Sequence, residues 1–271
     1  TVSGWSFGSA PFLIAGPCVV ESDDVMATVA EALVRLADAH RIRVCFKASF
    51  DKANRARLEG ARGPGVEEGL RALERVRDRS GLPLLTDIHD GSQALVAAQV
   101  VDVLQIPAFL SRQTDLLRAA GRTGKPVNIK KGQWMDPDGM IGAVEKVRAG
   151  GSSEIAVTER GTFFGYGDLV VDMRNLRRLH DATGVPVIFD ATHSVQQPGQ
   201  GPGGGSGGQR EHVPALLAAA AVAGADGFFL ETHPDPARAL SDAATQWPLD
   251  RLPWLLHRTL DLWRRARESQ G

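Results

Sequence analysis

Lys47, Lys52 and Arg55 place three positive charges within the short stretch KASFDKANR, and Asn54 adds amide donors among them. The stretch follows the apolar run Val44, Cys45 and Phe46, so it reads as a strand that runs out into a cationic loop. Ammonium, guanidinium and amide donors at a strand end suit a small anion, with phosphate the first candidate. The same charges on a solvated loop would hold nothing in particular, so the rest of the chain has to decide. Further cations follow apolar runs at Lys130 and Arg160, with Gln105, Asn128 and His89 in similar positions. If these meet, five cations surround one cavity. That is more than one phosphate needs, and it suits substrates carrying two phosphates, or a phosphate and a carboxylate.

A second set has different chemistry. Cys18, His193, Glu231 and Asp242 offer a thiol, an imidazole and two carboxylates. Mixed sulfur, nitrogen and oxygen donors with room for water are typical of a catalytic divalent-metal site. Taken singly, each has a plainer reading: a cysteine after a strand packs as a small hydrophobe, and a histidine hydrogen-bonds in a core. Cys45 shares the face of Lys47 two residues earlier and is read as core packing, and His233 and Asp235 as parts of a rigid loop with Asp235 as a cap.

These residues come together only if the elements bearing them do. Short apolar runs at 12–16, 44–48, 84–88, 103–107, 127–130, 155–159, 187–191 and 227–232 alternate with helical patterns at 23–40, 66–79, 92–99, 113–120, 140–149, 172–183 and 212–223. The last strand is followed by a terminal helix with Leu252, Leu256, Leu260 and Trp263 on one stripe. Eight strand–helix pairs predict a single α/β domain, a (β/α)₈ TIM barrel, in preference to a doubly wound open sheet. The nearly continuous apolar strands fit a parallel sheet covered on both faces. No glycine fingerprint for a dinucleotide follows the first strand. In a barrel, the C-terminal ends of different strands converge on one pocket, and strands one, seven and eight, which bear the second set, are neighbours. The segment QPGQGPGGGSGGQ (197–209) is expected to be no regular element and to act as a mobile lid, disordered without ligand.

Composition narrows the function. The chain is 43% hydrophobic and 23% charged with a net charge of −1, which gives no support for nucleic-acid binding. The longest apolar run is far short of a membrane span. Residues 1–10 lack a secretory-signal pattern, the missing initiator Met suggests trimming of a few residues, and two cysteines make no disulfide framework. A cytoplasmic enzyme is expected.

At this point long motifs carry a resemblance. AGPCVVES (15–22), FKASFDKANR (46–55), TDIH (86–89), QIPAFLSRQTDLL (105–117), NIKKGQ (128–133), TERGTFFGYGDLVVDMR (158–174), FDATHSVQQPG (189–199) and ETHPDPARALSDA (231–243) resemble the 3-deoxy-D-manno-octulosonate 8-phosphate synthases, in order, over nearly the whole chain. The resemblance implies condensation of phosphoenolpyruvate with D-arabinose 5-phosphate and water, a step toward lipopolysaccharide, by a homotetramer of barrels. It implies Lys47, Lys130, Arg160 and Gln105 around phosphoenolpyruvate, Lys52 and Asn54 near the sugar aldehyde, and Arg55 toward the sugar phosphate of a neighbouring subunit. His89 or His193 is then a candidate to move a proton. Cysteine at position 18, where the metal-free branch has asparagine, implies the metal-dependent branch, with His193, Glu231 and Asp242 as co-ligands of Zn, Fe, Mn, Co or Cd. Ala56-Arg57 departs from the Ser-Ser common in that family. The related 3-deoxy-D-arabino-heptulosonate 7-phosphate synthases, which use erythrose 4-phosphate, carry Lys-Pro-Arg-Thr where this chain has Lys52-Ala53-Asn54-Arg55, which favours the five-carbon sugar.

Overall fold

The computed structural model describes residues 5–8, 11–53, 62–201 and 205–268. Eight parallel strands follow one another round a closed ring: β1 (Phe12–Gly16), β2 (Arg43–Lys47), β3 (Leu84–Asp87), β4 (Val103–Ile106), β5 (Val127–Lys130), β6 (Ile155–Glu159), β7 (Val187–Asp190) and β8 (Gly227–His233). Pairing of β1 with β8, from Phe12 opposite Gly227 to Gly16 opposite Glu231, closes the barrel and excludes the open sheet. The covering helices are α1 (Asp23–His40), α2 (Val66–Ser80), α3 (Gly91–Val100), α4 (Thr114–Arg122), α5 (Ile141–Gly150), α6 (Arg174–Thr183), α7 (Val213–Ala223) and α8 (Leu252–Glu268).

Local chemistry sets the helix ends. Ser22 caps α1 by accepting from the Val25 amide at 3.4 Å, with Asp23 and Asp24 in the first turn. Asp90 accepts from the Ser92 amide at 2.8 Å to cap α3. Asp172 lies ahead of its helix rather than beginning it: Met173 is the cap residue, and Asp172 Oδ1 accepts from the Arg174 amide at 3.0 Å. This moves the start of α6 two residues past the expected position. Asp235 accepts from the Ala237 amide at 3.2 Å, and His233 is buried, receiving the Asp235 amide at 3.0 Å and facing Glu21 at 3.3 Å. Both are structural, as expected.

The strand period of two divides the core. Outward residues of the strands pack under the helices in one large cluster, whereas Phe12, Ile14, Cys45, Leu85, Val103, Ala156, Ile188 and Phe229 fill the barrel interior. Trp5 and Phe7 close its floor, with Trp5 edge-on to Phe12 and Arg43 stacked on the Trp5 ring. The same inward faces continue two residues further as Lys47, Asp87, Gln105, Thr158, Asp190 and Glu231. An apolar floor therefore supports a polar upper layer.

Two loops carry structure that residue patterns left unmarked. After β6 an antiparallel hairpin pairs Thr162–Gly165 with Asp168–Val170. The glycine-rich segment was expected to hold no regular element, but Gln196–Gln197 pairs antiparallel with Gly207–Gly208. The absence of a side chain is what permits this: a Cβ on Gly208 would lie 2.1 Å from Thr245 Cγ2 and 3.0 Å from the Val195 carbonyl.

Candidate active site

At the C-terminal mouth of the barrel a cavity of about 90 Å³ is lined by Lys47, Lys52, Asp87, His89, Gln105, Lys130, Arg160, His193 and Glu231, with Phe109 and Gln133 at its wall. Four of the five sequence-predicted cations thus share one space. Asn54 and Arg55, together with Ala56-Arg57, lie outside the described residues.

Two of these cations, Lys47 and Lys130, are already ion-paired. Lys47, 1% exposed, donates to Glu231 Oε1 at 2.6 Å and to the Cys18 carbonyl at 2.8 Å, with Asp87 4.0 Å away. Lys130 is bonded to Asp190 Oδ2 and sits 3.1 Å above the centre of the Phe229 ring. Burial pushes Lys130 down to about 8, against the opposing pull of Asp190. Burial also works against the charge of Lys52, but Cys18, Glu231, Asp87 and Asp242 outweigh it and hold Lys52 above the usual lysine range. Arg160 donates through Nη2 to Gln196 Oε1 at 2.7 Å, while its Nη1 is buried without a partner. Buried unpartnered donors are costly, so this guanidinium is set up to receive an acceptor.

A belt of hydrogen bonds crosses four strands. Thr158 Oγ1 donates to Asn128 Oδ1 at 2.7 Å, Asn128 Nδ2 to Gln105 Oε1 at 2.8 Å, and Gln105 Nε2 to Asp87 Oδ1 at 2.7 Å, with Ser49 bonded to the other Asp87 oxygen. Burial opposes ionisation of Asp87, but Lys47, Lys52 and His89 outweigh it and hold its carboxyl below the usual carboxylate range. An accepting Asp87 sets the orientation of each amide in turn. Gln105 therefore reaches the cavity wall with both amide atoms already engaged. His89 is half-buried, its Nδ1 is without a partner, and burial lowers its pKa.

Three of the second set, Cys18, Glu231 and Asp242, converge, with His193 beside the two carboxylates but outside that group. Cys18 Sγ, a Glu231 oxygen and an Asp242 oxygen lie within 4.8 Å of one another, and Cys18 Sγ donates to Asp242 Oδ2 at 2.9 Å. His193 Nε2 is 3.8 Å from Glu231 Oε1 and 4.0 Å from Asp242 Oδ2. Its Nδ1 faces Asp190 Oδ2 at 2.7 Å, which turns Nε2 toward the cluster. Burial pushes the Cys18 thiol well up, with Asp242 and Glu231 adding to the effect. Burial opposes ionisation of Asp242 and Glu231, yet Lys47, Lys52 and His193 keep both below the usual carboxylate range. Glu231 Oε2 is buried with no partner. A thiol, an imidazole nitrogen and carboxylates around an orphaned acceptor fit a divalent cation with mixed donors.

Residue types left three participants unassigned. Asp190 joins Lys130 to His193, Gln196 joins Arg160 to Asp242 (Nε2 to Oδ1, 2.8 Å), and Gln133 stands at the wall with a buried unpartnered Oε1. Asp190 was visible as a charge at the end of an apolar run. Nothing in the pattern marked Gln196.

Fold and site together define a barrel enzyme that handles a small anionic substrate beside a cluster of one thiol and two carboxylates. The chain belongs to the DAHP synthetase I family, whose pattern matches residues 7–261. Among its relatives, the 2-dehydro-3-deoxyphosphooctonate aldolase of Nitratidesulfovibrio vulgaris (strain DP4) is 55% identical over 252 residues, covering 93% of this chain and 92% of the relative. Proteins of that name are 56% identical over 240 residues in Syntrophotalea carbinolica (89% and 86% covered) and 54% over 251 residues in Stenotrophomonas maltophilia strain K279a (93% and 90%).

Proposed function

We propose that the chain is a 3-deoxy-8-phosphooctulonate synthase, condensing phosphoenolpyruvate with D-arabinose 5-phosphate and water to give 3-deoxy-D-manno-octulosonate 8-phosphate and inorganic phosphate. The observation that carries it is the meeting of Lys47, Lys52, Lys130 and Arg160 around one cavity, beside the Cys18, Glu231 and Asp242 cluster, in a chain similar to 2-dehydro-3-deoxyphosphooctonate aldolases. The alkene carbon of phosphoenolpyruvate forms a bond to the sugar aldehyde carbon, water oxygen adds at the adjacent carbon, and the C–O bond to phosphate breaks.

Lys47, Lys130 and Arg160 hold the carboxylate and phosphate of phosphoenolpyruvate, with the free Nη1 of Arg160 as one donor. Their fixed positions hold the reacting carbons in line. Lys52 and Asn54 face the aldehyde, and Arg55 reaches the sugar phosphate of a neighbouring subunit. His193 or His89 moves a proton. Cys18, His193, Glu231 and Asp242 would hold a divalent ion, Zn, Fe, Mn, Co or Cd, which when bound supplies Lewis acidity toward the aldehyde or water. The glycine-rich segment 197–209, anchored by its two-residue ladder, closes over the filled site. A cytoplasmic homotetramer is proposed, and exposed aromatics at Phe109, Phe164 and Tyr166 support a buried contact between copies. No helix among the described residues is long and apolar enough to cross a membrane.

Phosphate release from phosphoenolpyruvate, assayed with arabinose 5-phosphate and separately with erythrose 4-phosphate, tests this reading. Release with the five-carbon sugar is expected. Release with erythrose 4-phosphate alone would transfer the chain to the heptulosonate branch, and none with either would leave a barrel that binds without turnover. Full activity after verified removal of metal would sink the metal assignment.

A further inference from the structure

Gln196 connects the two halves of the site by a bridge that residue types did not mark. Its Oε1 accepts from Arg160 Nη2 at 2.7 Å, and its Nε2 donates to Asp242 Oδ1 at 2.8 Å. The amide orientation follows from chemistry, because a guanidinium only donates and a carboxylate only accepts. At 8% exposure, the bridge is shielded from competing water. Both ends are constrained. Arg160 lines the cavity and has one buried nitrogen without a partner, and Asp242 sits in the left-handed backbone region (φ 49°), held by a turn in which Thr245 and Gln246 amides donate to its carbonyl at 2.9 Å. Gln196 also begins the ladder that anchors the glycine-rich segment, and the facing Gly208 packs against Thr245 of that turn. Next to it, Gln197 donates to Asp168 of the hairpin after β6 at 2.8 Å.

We propose that Gln196 is a positioning residue that couples the anion site at Arg160 to the metal ligand Asp242, so that phosphoenolpyruvate and a divalent ion strengthen each other's binding. An ion on Asp242 fixes that carboxylate, the carboxylate fixes the amide, and the amide holds the guanidinium with Nη1 toward the anion. Linkage requires the converse effect of equal size: phosphoenolpyruvate tightens metal binding by the same factor. The coupling rests on the functional reading above, in which Arg160 meets phosphoenolpyruvate and Asp242 meets the ion.

The test is a binding cycle with no turnover. Phosphoenolpyruvate is titrated calorimetrically into metal-free and Mn²⁺-loaded protein, and Mn²⁺ into protein with and without phosphoenolpyruvate. The parent is expected to show a ratio of about tenfold in each direction, within the usual range for coupled sites. In Gln196→Met, which fills the same space with neither polar contact, the ratio falls below about twofold. Gln196→Glu keeps an acceptor for Arg160 but sets a charge against Asp242. It therefore retains phosphoenolpyruvate binding in metal-free protein while losing the coupling and weakening Mn²⁺. A packing role would lower thermal stability and both affinities together and leave the ratio intact, and that result in either variant overturns the coupling. Absence of phosphoenolpyruvate or Mn²⁺ binding by the parent protein overturns the functional reading itself, a distinguishable outcome.

Discussion

Lys130 shows how one buried charge sets the working range of the site. Held at about 8, it is cationic below that pH and loses its proton above it, so one anchor for the anion disappears as pH rises. Phosphoenolpyruvate affinity of the free protein should fall up to about tenfold per pH unit above roughly pH 8. In Lys130→Gln, calorimetric titration should find weaker binding at pH 7 and no such fall. Cys18 gives the opposite slope. Its thiol is neutral in the free site because burial and two carboxylates raise its pKa, and a metal ligand must be the thiolate. Metal affinity should therefore rise with pH, and titrations in buffers of different ionisation heat should detect about one proton released per ion. Removing Asp190 takes a partner from Lys130 and from His193 together. Asp190→Asn should cost about 3–5 kcal/mol in urea unfolding, the range for breaking a buried ion pair.

Strand ends turn a sequence pattern into a site. Residues spaced by two share a face, so Cys45 and Lys47, Leu85 and Asp87, and Phe229 and Glu231 each stack a floor residue under a chemical one. The pocket depends on strands β1 and β2 approaching closely at the mouth. A Cβ on Gly16 would lie 2.0 Å from the Lys47 carbonyl, at φ 156°. Gly16→Ala should destabilise the fold by roughly 1–3 kcal/mol, read as a lower urea midpoint, and weaken anion binding because Lys47 must move. The strands and helices were legible because apolar runs and helical periodicity recur with clear stops. The hairpin after β6 and the ladder around the glycine-rich segment were not, because glycine-rich, mixed-polarity loops have no period, and their pairing partners are chosen by what they pack against.

At the scale of the molecule, a net charge of −1 conceals a local excess of cations. Four of them face one cavity, balanced by Asp87, Asp190, Glu231 and Asp242, so that an incoming anion competes for partners already in place. The exposed aromatics at Phe164 (87%) and Tyr166 (107%) sit on the hairpin beside the glycine-rich segment. Sedimentation should report four chains, and Phe164→Asp with Tyr166→Asp should shift the mass downward.

Residue order by itself determined the alternation of eight strands and helices, the barrel class, and the two sets of chemical residues, because periodicity and residue type are local properties. It also carried the family, since Cys18, Lys47, Lys52 and their neighbours stand in long motifs. Only the tertiary structure decided that Gln105 is held in a four-strand belt, that Asp190 serves Lys130 and His193 at once, and that Gln196 spans Arg160 and Asp242. Each of those is a contact across 18 to 60 residues of chain or a side chain engaged at both ends. Such contacts exist only once closure of the barrel brings strand ends within hydrogen-bond reach.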